Sequence, residues 1–124
     1  MCYIQYNRGM MNEKTLETTE KIKQEMRRGI TVAVVMNFLK QAQYGYALLK
    51  SLNDSGIDIG QDTLYPLLRR LEEQELLESE WRVEDPRPRR YYRLNETGRE
   101  VYEALKNELK EIEKVIRSMT NETE

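Results

Sequence analysis

The sequence predicts a mainly α fold carrying one small β-hairpin (α+β), on three observations. Leu64, Leu67, Leu68 and Leu71 fall at i, i+3, i+4 and i+7, the apolar stripe of a short amphipathic helix. Two runs rich in aromatic and β-branched residues, 80–83 and 90–94, flank Asp85-Pro86-Arg87-Pro88, which is turn chemistry and marks a hairpin. Tyr102, Leu105, Leu109, Ile112, Ile116 and Met119 are spaced 3, 4, 3, 4 and 3 apart, a seven-residue repeat along one long helix.

The elements follow in chain order. Residues 1–11 show no period and read as a disordered or leader segment. A helix is expected over 12–28: Asn12 caps it, Glu13 and Glu17 suit its positive end, and Arg27 and Arg28 suit its negative end before Gly29. Its apolar positions, Leu16, Ile22 and Met26, are sparse and need another surface to cover them. Residues 30–41 are apolar almost all round. Their β-branched residues also suit a strand, but a run of about a dozen favours a buried helix.

The next helix opens near Tyr44 or Gly45 and runs to Asn53, with Leu48, Leu49 and Leu52 inward and Asp54-Ser55-Gly56 as its stop. The leucine-striped helix begins at Asp62 or Thr63, either of which can cap it, so Pro66 falls in the first turn, where a missing N–H costs little. Its opposite side shows Asp62, Pro66, Arg69 and Glu73, flanked by Thr63, Tyr65 and Arg70. In the hairpin, alternation places Trp81 and one tyrosine against the helices. Thr97-Gly98 leads into the last helix, 97–120, and 121–124 is a tail.

Two short helices and then a hairpin make the order of a helix-turn-helix with a wing, here 29–96, between long N- and C-terminal helices. The heptad reads either as a dimer seam or as packing within one chain. The seam, with Leu16, Ile22 and Met26 beside it, is favoured because a helix packed only on its own domain shows a wider stripe.

Composition narrows the function. The chain has 124 residues, suiting one domain, and 20 basic residues nearly balance 22 acidic ones. Residues 1–43 carry +3, 44–95 carry −2 and 96–124 carry −3. Within the middle segment, residues 86–93 hold Arg87, Arg89, Arg90 and Arg93 with no acid, and a local field of this kind attracts phosphate on an acidic body. Histidine is absent and cysteine occurs once, which removes the usual metal ligand, general base and disulfide. Asp54, Asp58 and Asp62 recur every fourth residue, unlike a calcium loop's alternation, so neither metal nor cofactor is expected. No nucleophile setting or glycine-rich phosphate loop suggests an enzyme. No apolar run is long enough for a membrane span, and a cytoplasmic location is expected.

At Tyr44-Gly45-Tyr46, Thr63-Leu64-Tyr65-Pro66, Arg70-Leu71-Glu72, Leu76-Leu77, Ser79-Glu80-Trp81 and Arg87-Pro88-Arg89-Arg90-Tyr91-Tyr92-Arg93-Leu94, the chain resembles the PadR family of transcriptional regulators, from about Gly29 to Gly98. The resemblance implies a winged helix whose third core helix enters the major groove. It also implies a homodimer, formed largely by the last helix, that binds double-stranded DNA at a palindromic, inverted-repeat operator and usually represses. The chain departs at Asp62, where the family commonly has glycine, at Tyr44, where histidine is frequent, and at Asp85-Pro86, where glycines are common.

The residues expected to contact DNA are Tyr46, Thr63, Tyr65, Pro66, Arg69, Arg70, Arg87, Arg89 and Arg90; the bland alternative for Tyr65, Arg69 and Arg70 is a solvated face with the arginines paired to Glu72, Glu73 or Glu75, and for Arg87, Arg89 and Arg90 a solvated turn. The expected dimer residues are Leu16, Ile22, Met26, Tyr102, Leu105, Leu109, Ile112, Ile116 and Met119. A small-molecule effector seated between the long helices could release the DNA by a small rotation. The rival reading is a winged-helix scaffold for protein interaction without DNA binding, which the acidic total and Asp62 favour.

Overall fold

The computed structural model describes residues 11–83 and 87–121, and the chain divides into two units, Met1–Thr31 and Val32–Glu124. Residues 1–10 of the expected leader, the Asp85-Pro86 turn and most of the tail lie outside the described residues.

In the first unit, Asn12 starts α1 (Glu13–Phe38), its Oδ1 accepting from the Thr15 N–H at 2.8 Å. Leu16, Ile22 and Met26 are exposed on it. The expected break before Gly29 does not occur. Helix α1 continues through Gly29, because a glycine in a helix costs only about 1 kcal/mol and the residues beyond it gain from burial.

The second unit holds the core. Val35 and Met36, near the end of α1, and Leu39, just beyond it, are fully buried, which resolves the expected 30–41 run as helix rather than strand up to Phe38, with 39–41 outside the helix. A two-residue strand β1 (Gln43–Tyr44) follows, placing Tyr44 in a sheet and at the N-cap of α2 (Gly45–Asp54). Helix α2 ends where the Ile57 N–H reaches back to the Leu52 carbonyl at 2.9 Å, a closure that uses Gly56 at φ +105°.

Helix α3 (Gln61–Glu73) starts earlier than the expected caps at Asp62 or Thr63. Gly60 is its N-cap, accepting from the Leu64 N–H at 2.9 Å, and no side chain caps it. Pro66 therefore lies inside the helix rather than in its first turn, and it offers no N–H to the carbonyl four residues before it, at Asp62. Leu64, Leu67, Leu68 and Leu71 are all buried, as their spacing requires. Helix α3 closes like α2, with the Leu76 N–H on the Leu71 carbonyl at 3.0 Å, but the left-handed residue is Glu75, at φ 62°.

Strands β2 (Leu77–Arg82) and β3 (Arg89–Leu94) form the hairpin, and β1 adds to the far side of β3, giving the antiparallel order β1-β3-β2. The register pairs Leu77 with Leu94, Ser79 with Tyr92 and Trp81 with Arg90. Directly paired residues share a face, so these six form the side that begins in the core. Leu77, Leu94 and Tyr92 are buried there, but Trp81 is 67% exposed. The expectation that Trp81 packs on the helices is corrected: its face is the inner one, but the hairpin carries it to the open end of that face.

Helix α4 (Glu96–Thr120) is capped by Asn95, whose Oδ1 accepts from the Gly98 N–H at 2.7 Å. Thr97 and Gly98 are thus its first turn rather than a lead-in. A Cβ at Gly98 would strike the Leu76 carbonyl, so only glycine allows the approach. Tyr102 is buried and donates to Asn37 Oδ1 at 2.7 Å. From there the apolar row becomes steadily more open, with Leu105 and Leu109 half-buried and Ile112, Ile116 and Met119 exposed.

Candidate nucleic-acid interface

The leucine stripe fixes which side of α3 faces out. With Leu64, Leu67, Leu68 and Leu71 inward, Asp62, Thr63, Pro66, Arg69, Arg70 and Glu73 are exposed and Tyr65 is half-buried. Among the described residues, neither Arg69 nor Arg70 is ion-paired, and Glu73 and Glu75 hold no arginine.

Glu72 does hold one. Arg90 Nη2 donates to both its carboxylate oxygens, at 3.0 and 2.8 Å. Ser79 Oγ donates to Glu72 Oε2 at 2.6 Å and accepts from Arg90 Nε at 3.1 Å. This cluster ties α3 to both wing strands. Two-point pairing fixes direction as well as distance, and Arg90, expected as a DNA contact, is occupied with holding the wing to the helix.

A second tie runs through β1. The Arg89 guanidinium lies over the Tyr44 ring at 4.4 Å, Tyr44 meets Tyr91 edge-on at 5.5 Å, and Arg82 lies over Tyr91 at 4.0 Å. Burial holds the Tyr92 phenol above its usual ionisation range, with Arg90 pulling the other way.

These ties bound a groove of about 580 Å³ between the wing, the start of α2 and α3, lined by Tyr44, Gly45, Tyr46, Tyr65, Trp81, Arg87, Pro88, Arg89, Arg90 and Tyr92. Gly45 explains the Tyr-Gly-Tyr element. A Cβ there would collide with the Tyr65 ring, its Cε1 2.6 Å away, so glycine lets the α3 tyrosine lie over the start of α2. Tyr46, next to it, is 60% exposed.

Of the expected site residues, Tyr46, Tyr65, Arg87, Arg89 and Arg90 come together in the groove, while Thr63, Pro66, Arg69 and Arg70 lie on the exposed side of α3 outside its lining. Sequence reasoning missed Trp81 as a groove residue and Glu72 as the clasp of Arg90. The signal for the first was available in the Trp81–Arg90 pairing, but it depended on the hairpin's register. Among the described residues, no group of acidic, cysteine or histidine side chains could hold a metal, and no helix is long and apolar enough to cross a membrane.

The arrangement can bind a polyanion: arginines on the wing, aromatic hydroxyls beside them, and a helix face tied to the wing by Glu72 and Arg90. Comparison with known proteins agrees. The sequence model of the family described as Transcriptional regulator PadR-like family matches residues 35–104. A Mycobacterium tuberculosis protein named transcriptional regulator Rv3488 is 41% identical over 78 residues, which are 60% of this chain and 73% of that protein. The crystal structure of a PadR family transcriptional regulator from Eggerthella lenta is 38% identical, with a TM-score of 0.79 over 91% of this chain and 100% of that one. A PadR-like transcription factor from Bacteroides fragilis is 30% identical, with a TM-score of 0.67 over 80% of this chain and 98% of that one.

Proposed function

We propose, since this chain belongs to the PadR-like family of transcriptional regulators, that it is a homodimeric repressor that binds an inverted-repeat operator in double-stranded DNA. The observation that carries this reading is the outward side of α3. Four buried leucines hold the helix by one side, leaving Thr63, Pro66, Arg69 and Arg70 open beside a wing clasped to it through Glu72 and Arg90.

In this reading α3 enters the major groove, where Arg69 and Arg70 are placed to contact phosphates or guanine edges. Arg87 and Arg89 on the wing reach the neighbouring phosphates or minor groove. Arg90 sets the angle between the two. The exposed row Ile112, Ile116 and Met119 on α4 supports pairing with a second copy, and Leu16, Ile22 and Met26 on α1 offer further apolar surface for it. Two recognition helices then meet half-sites about one duplex turn, roughly 34 Å, apart. A small-molecule effector would act by changing this spacing.

Selection of duplexes from random-sequence DNA by the full chain tests the reading. It predicts enrichment of an inverted repeat, bound far more tightly than unrelated duplex at equal salt. Enrichment of no sequence, with binding no tighter than to bulk DNA, would favour the interaction scaffold to which exposed Asp62 and the net charge of −2 point.

A further inference from the structure

We infer that Asp62 reads a base: its carboxylate accepts from the N4 amino group of a cytosine on the floor of the major groove, at one position in each arm of the operator. This inference rests on the duplex-binding reading above and adds to it a specificity-determining residue and the base that it selects.

The leucine stripe fixes where Asp62 points. At 100° per residue, Asp62, Pro66, Arg69 and Glu73 fall within about 30° of the line opposite the centre of that stripe. All four are exposed. The flanks of α3 are engaged differently. On one, Glu72 clasps Arg90 of the wing and Tyr65 lines the groove beside it; on the other lie Thr63 and Arg70. A helix laid in the major groove turns its flanks toward the two phosphate walls and its middle line toward the base edges, foremost at its N-terminal end. Asp62 is in the first turn of α3, on that middle line.

Its chemistry then narrows the partner. The carboxylate is uncommitted: Gly60 starts α3 with backbone alone, and among the described residues Asp62 forms no ion pair or side-chain hydrogen bond. Arg69, on the same line, stands two turns away, about 10 Å along the axis, too far to neutralise it by contact. An ionised carboxylate only accepts, and phosphates repel it. On the groove floor guanine offers acceptors, thymine an acceptor and a methyl group, and adenine sets its acceptor N7 beside its amino group. Cytosine alone presents a donor with no acceptor of its own next to it. An acid in the middle of a DNA-facing helix therefore carries selectivity, by attraction to one base and repulsion from the others.

Selection of duplexes from random-sequence DNA by wild type, Asp62→Asn and Asp62→Ala tests the assignment. Wild type should enrich a C·G pair at one position in each arm. Asp62→Asn, which donates as well as accepts, should put adenine in place of that cytosine and leave the other positions as they were; Asp62→Ala should leave the position without preference. Changing that C·G pair to T·A in the wild-type operator should weaken wild type about tenfold, and Asp62→Ala by no more than about twofold. A purely structural role at the positive end of the helix would lower the melting temperature of both variants without moving a base preference.

The same sequence enriched by all three proteins, with both variants binding every duplex more tightly, makes Asp62 a repeller of phosphates. That result overturns the assignment and leaves the regulator reading standing. So does a changed position at which wild type prefers an A·T pair, or one where Asp62→Asn puts adenine in place of the guanine. If wild type enriches no duplex, the regulator reading fails and the assignment fails with it.

Discussion

Glu75 carries a backbone conformation that few side chains adopt freely. It closes α3 in the left-handed region, while Gly56 closes α2 by the same hydrogen-bond pattern. A side chain there costs about 1–2 kcal/mol against glycine in the folded state, partly offset by glycine's greater freedom in the unfolded chain. Glu75→Gly should therefore raise stability by about 0.5–1 kcal/mol, visible as a rise of a few degrees in a thermal melt. Tyr92 makes a second prediction. Its phenol ionises above the usual 10.0 in the folded chain because it is buried. The unfolded chain thus loses this proton first, and the associated stability is present below that pH and lost as pH climbs through the folded value. Denaturant midpoints should fall above about pH 10, and Tyr92→Phe should make the fall shallower; an equal fall in both would contradict it.

Helix α4 shows an apolar row that its own unit covers only at the start. Replacing both Leu109 and Ile112 with glutamate should leave the fold intact, since Leu109 is half-buried and Ile112 exposed. It should yield monomers by sedimentation and weaken operator binding about a hundredfold, because each half-site is then bound alone. A dimer surviving both changes would contradict the seam. Helices α3 and α4 were the most legible elements in the sequence, because each carries one strong period. Boundaries were less so. Gly29 looked like a stop, but a glycine is only a weak breaker when buried residues follow it. Asp62 looked like a cap, although Gly60 starts the helix with backbone alone. The face of Trp81 followed from alternation, but its exposure depends on how far the hairpin outruns its neighbours, a property of the assembled unit. The Arg90–Glu72 clasp spans 18 residues and has no local signature.

For the molecule as a whole, acidity and DNA binding are reconciled by placement. The net charge is −2, but Arg69, Arg70, Arg87 and Arg89 sit on the open side of α3 and along the wing. Binding should then be weak on unrelated DNA and steeply salt-dependent on the operator. The most direct measurement is the slope of log affinity against log salt for the selected duplex, in wild type, Arg69→Ala, Arg87→Ala and the double variant. If helix and wing both meet the duplex, each single change lowers the slope by about one unit and the double by about two. A slope that none of the three changes alters would contradict the account at its centre.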